Sequence, residues 1–190
     1  AMRRLLPAML LALAGLAAHA PSVSAQSGDI AADVRSWQAH DARLLSLSWR
    51  LARANAAFCR DAQSNIGLML TDFHRFREPA RASAAVGASS GVAIEAVASG
   101  SPAEAAGLRA GDALLAIGGT AIGAAPARLP KGTYFHDLLH DRIDAALARS
   151  GTVSLRVAQP GKGPRDVSVT GQSACRARFT LISSGTAAMS

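Results

Sequence analysis

The sequence predicts an α+β domain that follows a long N-terminal helix. Three patterns support this prediction: a strand, a short capped helix and a second strand within residues 91–122, a helical repeat of apolar residues over 29–58, and another helical repeat over 133–149 that precedes two short strand-like runs. Strands and helices that follow one another in this way are typical of an α+β domain. A chain of 190 residues is long enough for one such domain and an appendage.

Residues 91–122 carry a local structural signal at almost every position. Residues 91–97 alternate between the two faces of a strand, and we expect one of these faces to be largely buried. Ser101-Pro102-Ala103-Glu104 predicts a capping box at the start of a short helix, and Gly107 is expected to end that helix in the left-handed conformation. Gly111-Asp112 then predicts a turn into a second strand at 113–117.

The string SPAEAAGLRAGDALLAIGG, residues 101–119, resembles the core of bacterial PDZ domains, as found in the high-temperature-requirement serine proteases and other envelope proteases. The resemblance extends over about 65–171, with looser connections at 71–90 and 123–132. It implies a PDZ-like small β-barrel or sandwich with two helices. It also implies a groove for peptides or protein C-termini, and a protease as a further candidate partner.

The N-terminal residues predict export from the cytoplasm. Met2-Arg3-Arg4, an apolar run and Ser22-Val-Ser-Ala25 form the pattern of a secretory signal peptide cleaved after Ala25. The alternative is an uncleaved anchor. We therefore expect a periplasmic or secreted protein. The net charge is +7, but the sequence contains no basic run with interleaved aromatic residues, so nucleic acid is not an expected partner.

The repeat over residues 29–58 predicts an amphipathic helix. Asp41 interrupts its apolar stripe near the middle, which indicates either a break or a polar contact. One interpretation is that the helix packs on the PDZ-like domain. The other is a membrane-surface or partner-binding helix, because two tryptophans and several arginines also suit an interface. Membrane contact is expected only through this helix or an uncleaved signal. The apolar positions of the repeat are Ile30, Val34, Trp37, Leu44, Leu47, Leu51, Ala54 and Phe58.

The two cysteines, Cys59 and Cys175, lie far apart, one at the end of this helix and the other just after the last predicted strand. An isolated pair in an oxidising compartment favours a disulfide bond. Two separately buried thiols are the alternative.

The predicted peptide-binding site combines a loop, a strand and a helix. Asn65-Ile66-Gly67-Leu68-Met69-Leu70 resembles the hydrophobic-Gly-hydrophobic loop and strand of PDZ domains. The resemblance implies that the amides of 65–68 hold a terminal carboxylate and that 68–70 pair with the peptide as an added strand. The helix over 133–149 would form the second wall. The side chains expected to select the ligand are His136, Leu139, His140 and Ile143.

His136 and His140 also have the four-residue spacing of a zinc-binding helix, but aspartate replaces the usual following glutamate and no third ligand follows. No catalytic site, metal site or cofactor is therefore predicted. The order of segments resembles the N-terminal part of secreted zinc metallopeptidases, so a fragment without its catalytic domain is the alternative to a stand-alone binding module. The predicted segments are 1–25 (signal peptide), 26–60 (amphipathic helix), 61–172 (PDZ-like domain) and 173–190 (a C-terminal tail, the possible start of such a domain).

Overall fold

The computed structural model describes residues 30–176, which form an α+β fold of the PDZ-like kind behind an N-terminal helix. The prediction of the fold class is confirmed. The first half contains α1 (Ile30–Ala54), β1 (Ala62–Asn65), β2 (Leu68–Asp72), α2 (Pro79–Ala85), β3 (Val92–Val97) and α3 (Pro102–Ala105). The second half contains β4 (Ala113–Ile117), β5 (Thr120–Ala121), α4 (Phe135–Ser150), β6 (Thr152–Ala158), β7 (Pro164–Thr170) and β8 (Gln172–Cys175). Short 3₁₀ turns follow α1 at Ala56–Phe58 and β2 at Phe73–Arg75.

The main sheet is antiparallel and runs in the order β2-β3-β4-β6-β7, with β5 attached to β4. A separate ribbon joins β1 to β8. Because β2 pairs only with β3 among the described strands, one long side of β2 is a sheet edge. This edge is the first requirement for binding a peptide by strand addition.

The main core lies between the sheet and α4. Leu139, Ile143 and Leu147 of the helix are almost fully buried, and they belong to the same cluster as Ile94 and Leu155 of the sheet. Full burial of a large aliphatic side chain typically stabilises a fold by about 1.5–3 kcal/mol. The core therefore fixes the position of α4 relative to the strands.

Helix α1 covers the other face of β3, and this contact corrects two expectations. The expectation that β3 would be largely buried on one face is wrong, because Ala93 and Glu95 on its second face are also buried. Val34 of α1 clusters with Phe73 and Ala93 there.

The residues of α1 that face the domain match the predicted apolar repeat only in part. Val34 of the repeat is buried, but so are Ser48 and Trp49, which lie outside it, whereas Leu47 and Leu51 of the repeat are exposed. Asp41 does not break the helix, which runs without interruption from Ile30 to Ala54.

A disulfide bond joins Cys59 to Cys175, whose Cα atoms lie 5.5 Å apart, and this prediction is confirmed. Cys175 is the last residue of β8, where it pairs with Ala62 of β1. Trp49 of α1 packs beside Ala174 of the same strand. The bridge therefore ties the segment that follows α1 to the ribbon on which the helix rests.

The segment around α3 forms as its local residues predict, with one difference. The Ser101 hydroxyl accepts a hydrogen bond from Glu104 N at 3.2 Å, but the Glu104 carboxylate accepts from Gly100 N at 2.7 Å instead of from the cap residue itself. Gly107 and Gly111 have φ angles of 73° and 87°, in the left-handed region that favours glycine.

One helix and three short strands were not predicted. Helix α2 lies in the connection between β2 and β3 that was expected to be loose, and β1, β5 and β8 lie before or after the predicted strands. No helix within residues 30–176 has both the length and the apolar character needed to cross a bilayer.

Candidate functional site

The edge of β2 faces helix α4, and one hydrogen bond joins the two elements. The backbone N–H of Leu70 donates to Nε2 of His140 at 3.2 Å. This amide therefore points away from β3 and towards α4, in the direction from which an added strand would approach. Nε2 of His140 therefore occupies the position in which a carbonyl oxygen of an added strand would accept the hydrogen bond from Leu70 N.

The loop between β1 and β2 orients two further amides. The carbonyl of Gly67 accepts from Ala98 N at 2.9 Å, and the carbonyl of Ile66 accepts from Ala103 N at 3.0 Å. In a trans peptide the N–H points opposite to the carbonyl of the same unit. The N–H groups of Gly67 and Leu68 therefore point away from α3 and from the end of β3, towards the open side of the loop.

The loop is preformed by its own residues. The Asn65 side-chain Oδ1 accepts from Gly67 N at 2.7 Å, which is an Asx turn. Gly67 has a φ angle of 70°, and a Cβ at this position would lie 2.4 Å from the Cβ of Ser101. Only glycine fits here. The amide of Gly67 is thus held by an oxygen acceptor already, and a terminal carboxylate would have to replace the Asn65 oxygen to use it.

The structure separates the side chains that were expected to select a ligand. His140 contacts the edge of β2, whereas Leu139 and Ile143 are 1% and 2% exposed and form part of the core. On β2, Leu68 and Leu70 also point into the core and Met69 is partly exposed. A role in ligand selection stays a prediction for all of these residues.

His136 lies at the start of α4, in a group of residues that the sequence did not indicate. Its imidazole stacks on Tyr134, with ring centroids 5.4 Å apart and planes inclined by 5°, and the Arg75 guanidinium lies 4.6 Å from the Tyr134 ring centroid. The Nδ1 atom of His136 is buried with no hydrogen-bond partner, and burial lowers the pKa of its ring. Tyr134 lay inside the predicted helix over 133–149 but is the residue before α4 in the structure.

His136 and His140 do not form a common site, since one ring stacks on Tyr134 and the other meets β2. Within residues 30–176 no group of three or more His, Cys, Asp or Glu side chains is arranged to hold a metal ion. A surface depression lies away from the groove, beside α2, and we call it the α2 depression. Its lining includes Phe73, Ser83 and Gly91.

A family model described as PDZ domain matches residues 94–127. The chain contains a PDZ domain. The match covers most of β3 together with α3, β4 and β5, which is the region that the sequence motif indicated. The edge strand β2 and helix α4 lie on either side of it in the chain. No curated protein matches the chain significantly.

A buried carboxyl group lies behind the strand that forms the groove. Glu95 of β3 is 8% exposed, and its side chain hydrogen-bonds with Thr71 of β2. Burial, together with the charge of the nearby Asp41 of α1, raises the pKa of Glu95 to about 7, although the hydrogen bond with Thr71 and the charge of Arg75 lower it. Glu95 therefore interacts electrostatically with Asp41 of the N-terminal helix and forms a hydrogen bond with Thr71 of the edge strand β2.

Proposed function

We propose that this PDZ domain binds peptide segments by strand addition to the edge of β2, with α4 as the second wall of the groove. The Leu70 amide carries the proposal, because it points out of the sheet and its present partner is a side-chain acceptor on α4. A peptide carbonyl offers the same chemistry as the imidazole nitrogen. Main-chain hydrogen bonds of this kind give affinity that depends little on the peptide sequence.

We further propose that the preferred ligands end in a free carboxylate. The amides of Gly67 and Leu68 point to the open side of the loop, and such groups of backbone N–H donors suit an anion. Asn65 supplies a neutral oxygen in the same place, so a charged oxygen would form stronger hydrogen bonds with the same donors.

The cellular role proposed is peptide or C-terminus recognition during envelope proteolysis or protein quality control, by a periplasmic or secreted protein. Support comes from the signal-peptide pattern of 1–25, which lies outside the described residues, and from the resemblance of 101–119 to envelope-protease PDZ domains. The alternative is a module that serves a zinc peptidase domain located elsewhere.

A peptide-display screen of the full chain, followed by amide hydrogen exchange with an enriched peptide, tests the binding mode. We expect added protection at Leu68 and Leu70 and along α4. Protection confined to the α2 depression, or an absence of enriched peptides, would contradict strand addition. Casein cleavage measured with zinc and with a chelator serves as the enzymatic arm, and chelator-sensitive cleavage by the purified chain would replace the binding-module function by a peptidase function.

A further inference from the structure

The outer side of α1 carries a continuous row of apolar residues that the PDZ domain does not cover. Leu47 is 51% exposed, Leu51 is 57% exposed and Phe58, in the turn after the helix, is 86% exposed. Together with the partly exposed Leu44 they follow one another at intervals of three, four and seven residues, so the three leucines share one helical face. We call Leu44, Leu47, Leu51 and Phe58 the outer stripe.

The outer stripe is separate from the contact between α1 and the domain. That contact uses Val34, Ser48 and Trp49, all of which are buried. The disulfide at Cys59 fixes the chain directly after Phe58, so this phenylalanine is held outside the fold next to a covalent anchor. Large apolar side chains gathered in this way on a soluble surface usually mark an interaction site.

The charges beside the outer stripe indicate what it contacts. Residues 42–60 contain four arginines and no acidic residue. Arg43 and Arg50 each precede a leucine of the stripe by one position, and both are exposed. A row of apolar side chains flanked by arginines is the pattern of a helix that lies in the interface of an anionic membrane.

A second copy of the chain fits this surface poorly. Pairing two outer stripes antiparallel around a two-fold axis would bring the Arg43 and Arg50 rows of both copies together, which is repulsive. The side of the stripe next to Ser48 is already covered by the chain's own domain, so a partner helix could pack on one side only.

We propose that α1 binds the surface of membranes rich in anionic phospholipid through the outer stripe. The helix would lie flat, with Leu47, Leu51 and Phe58 inserted between headgroups and the arginines at the phosphates. The PDZ domain packs on the neighbouring side of α1, which carries Val34, Ser48 and Trp49. This inference is independent of peptide binding.

Tryptophan fluorescence of the full chain tests the proposal, because both tryptophans lie in α1. Trp49 is buried, and the half-exposed Trp37 stands seven residues before Leu44 on the same face. Vesicles contain brominated phosphatidylcholine, alone or mixed with phosphatidylglycerol. We expect quenching with the mixed vesicles, weak quenching with phosphatidylcholine alone, and loss of quenching at high salt.

Matched variants assign the binding to the outer stripe. Leu47→Glu combined with Leu51→Glu should raise the lipid concentration for half-maximal quenching at least tenfold. Ala145→Glu combined with Ala148→Glu adds the same charge at exposed positions of α4 and should change it less than twofold. Arg43→Gln and Arg50→Gln should each weaken binding to the mixed vesicles about fivefold. Circular dichroism confirms that each variant is folded.

Three results would overturn the proposal. One is sedimentation of the chain with vesicles without quenching, which would place the contact in another segment. The second is equal partitioning of the outer-stripe variant and the α4 variant. The third is a concentration-dependent dimer that the outer-stripe variant abolishes while no lipid binding is seen, which would make a second copy the occupant.

Discussion

Replacing Glu95 by glutamine should remove a pH dependence from the stability of the fold. Glu95 is almost fully buried between β3 and α1, and burial raises its pKa from 4.5 to about 7. The native state therefore holds this proton more tightly than the unfolded chain does. The stabilisation is complete below about pH 4.5 and is lost as the pH rises through 7.

The size of the effect follows from the pKa shift. One pKa unit corresponds to about 1.4 kcal/mol, so a shift from 4.5 to about 7 makes the free energy of unfolding up to about 3 kcal/mol smaller at pH 8 than at pH 4.5. Glutamine keeps the shape of the protonated side chain and a hydrogen-bonding group for Thr71. It carries no proton that can be lost in this range.

Urea unfolding of both proteins at pH 5 and pH 8 measures the effect. The Glu95→Gln variant should gain about 2–3 kcal/mol relative to the unsubstituted protein between these two pH values. His136 acts in the opposite direction, since burial lowers its pKa and its contribution is lost as the pH falls, but it is present in both proteins and cancels in the difference. Glu78→Gln, at an exposed position, is the control. Identical pH dependence of Glu95→Gln and the unsubstituted protein would refute the reasoning.

Three further predictions follow from the backbone and the groove. Reducing the disulfide, which spans 116 residues, should lower the free energy of unfolding by roughly 4–5 kcal/mol, and an unchanged urea midpoint in reductant would count against a stabilising bridge. Gly107→Ala should lower the free energy of unfolding by about 1–2 kcal/mol through backbone strain alone. Gly111→Ala should lower it more, because its Cβ would also lie 2.8 Å from a backbone carbonyl oxygen. Equal losses of melting temperature in the two variants would contradict this difference. His140→Ala should tighten peptide binding about two- to tenfold in a calorimetric titration, because a ligand no longer has to displace the imidazole from Leu70 N. Asp141→Ala, on the exposed side of α4, is the control and should leave the affinity unchanged. Weaker peptide binding by His140→Ala would argue against displacement.

The sequence predicted the β3-α3-β4 region well because its structure is encoded locally. Ser101 caps the helix, and Gly107 takes a backbone conformation that few other residues adopt. Such preferences act within four or five residues and do not depend on the rest of the fold. The Asx turn at Asn65 is equally local, and an Asn-x-Gly string could have indicated it.

The orientation of α1 could not be predicted from the apolar repeat. Both sides of the helix carry large apolar residues, so periodicity alone does not decide which side is buried. The side that packs on the domain also contains polar residues such as Asp41 and Ser48. Its burial depends on the shape of β3 and β8, to which distant parts of the chain contribute.

The elements that were not predicted and the contacts in the groove both depend on segments that lie far apart in the sequence. Helix α2 has no large apolar stripe, and the four residues of β8 are ordered by pairing with β1 across more than a hundred residues. The predicted site grouped His140 with Leu139 and Ile143 as side chains that select the ligand. The contact of His140 with Leu70 N, however, depends on how closely α4 packs against β2.

The affinity of one enriched peptide, prepared with a free and with an amidated C-terminus, tests the central claim most directly. If the Gly67 and Leu68 amides receive a terminal carboxylate, amidation replaces charge-assisted hydrogen bonds by weaker ones. The loss should be on the order of 1.5–3 kcal/mol, or roughly ten- to a hundredfold in Kd, by calorimetry at constant salt. Equal affinity of the two peptides would contradict capture of the C-terminus at this loop.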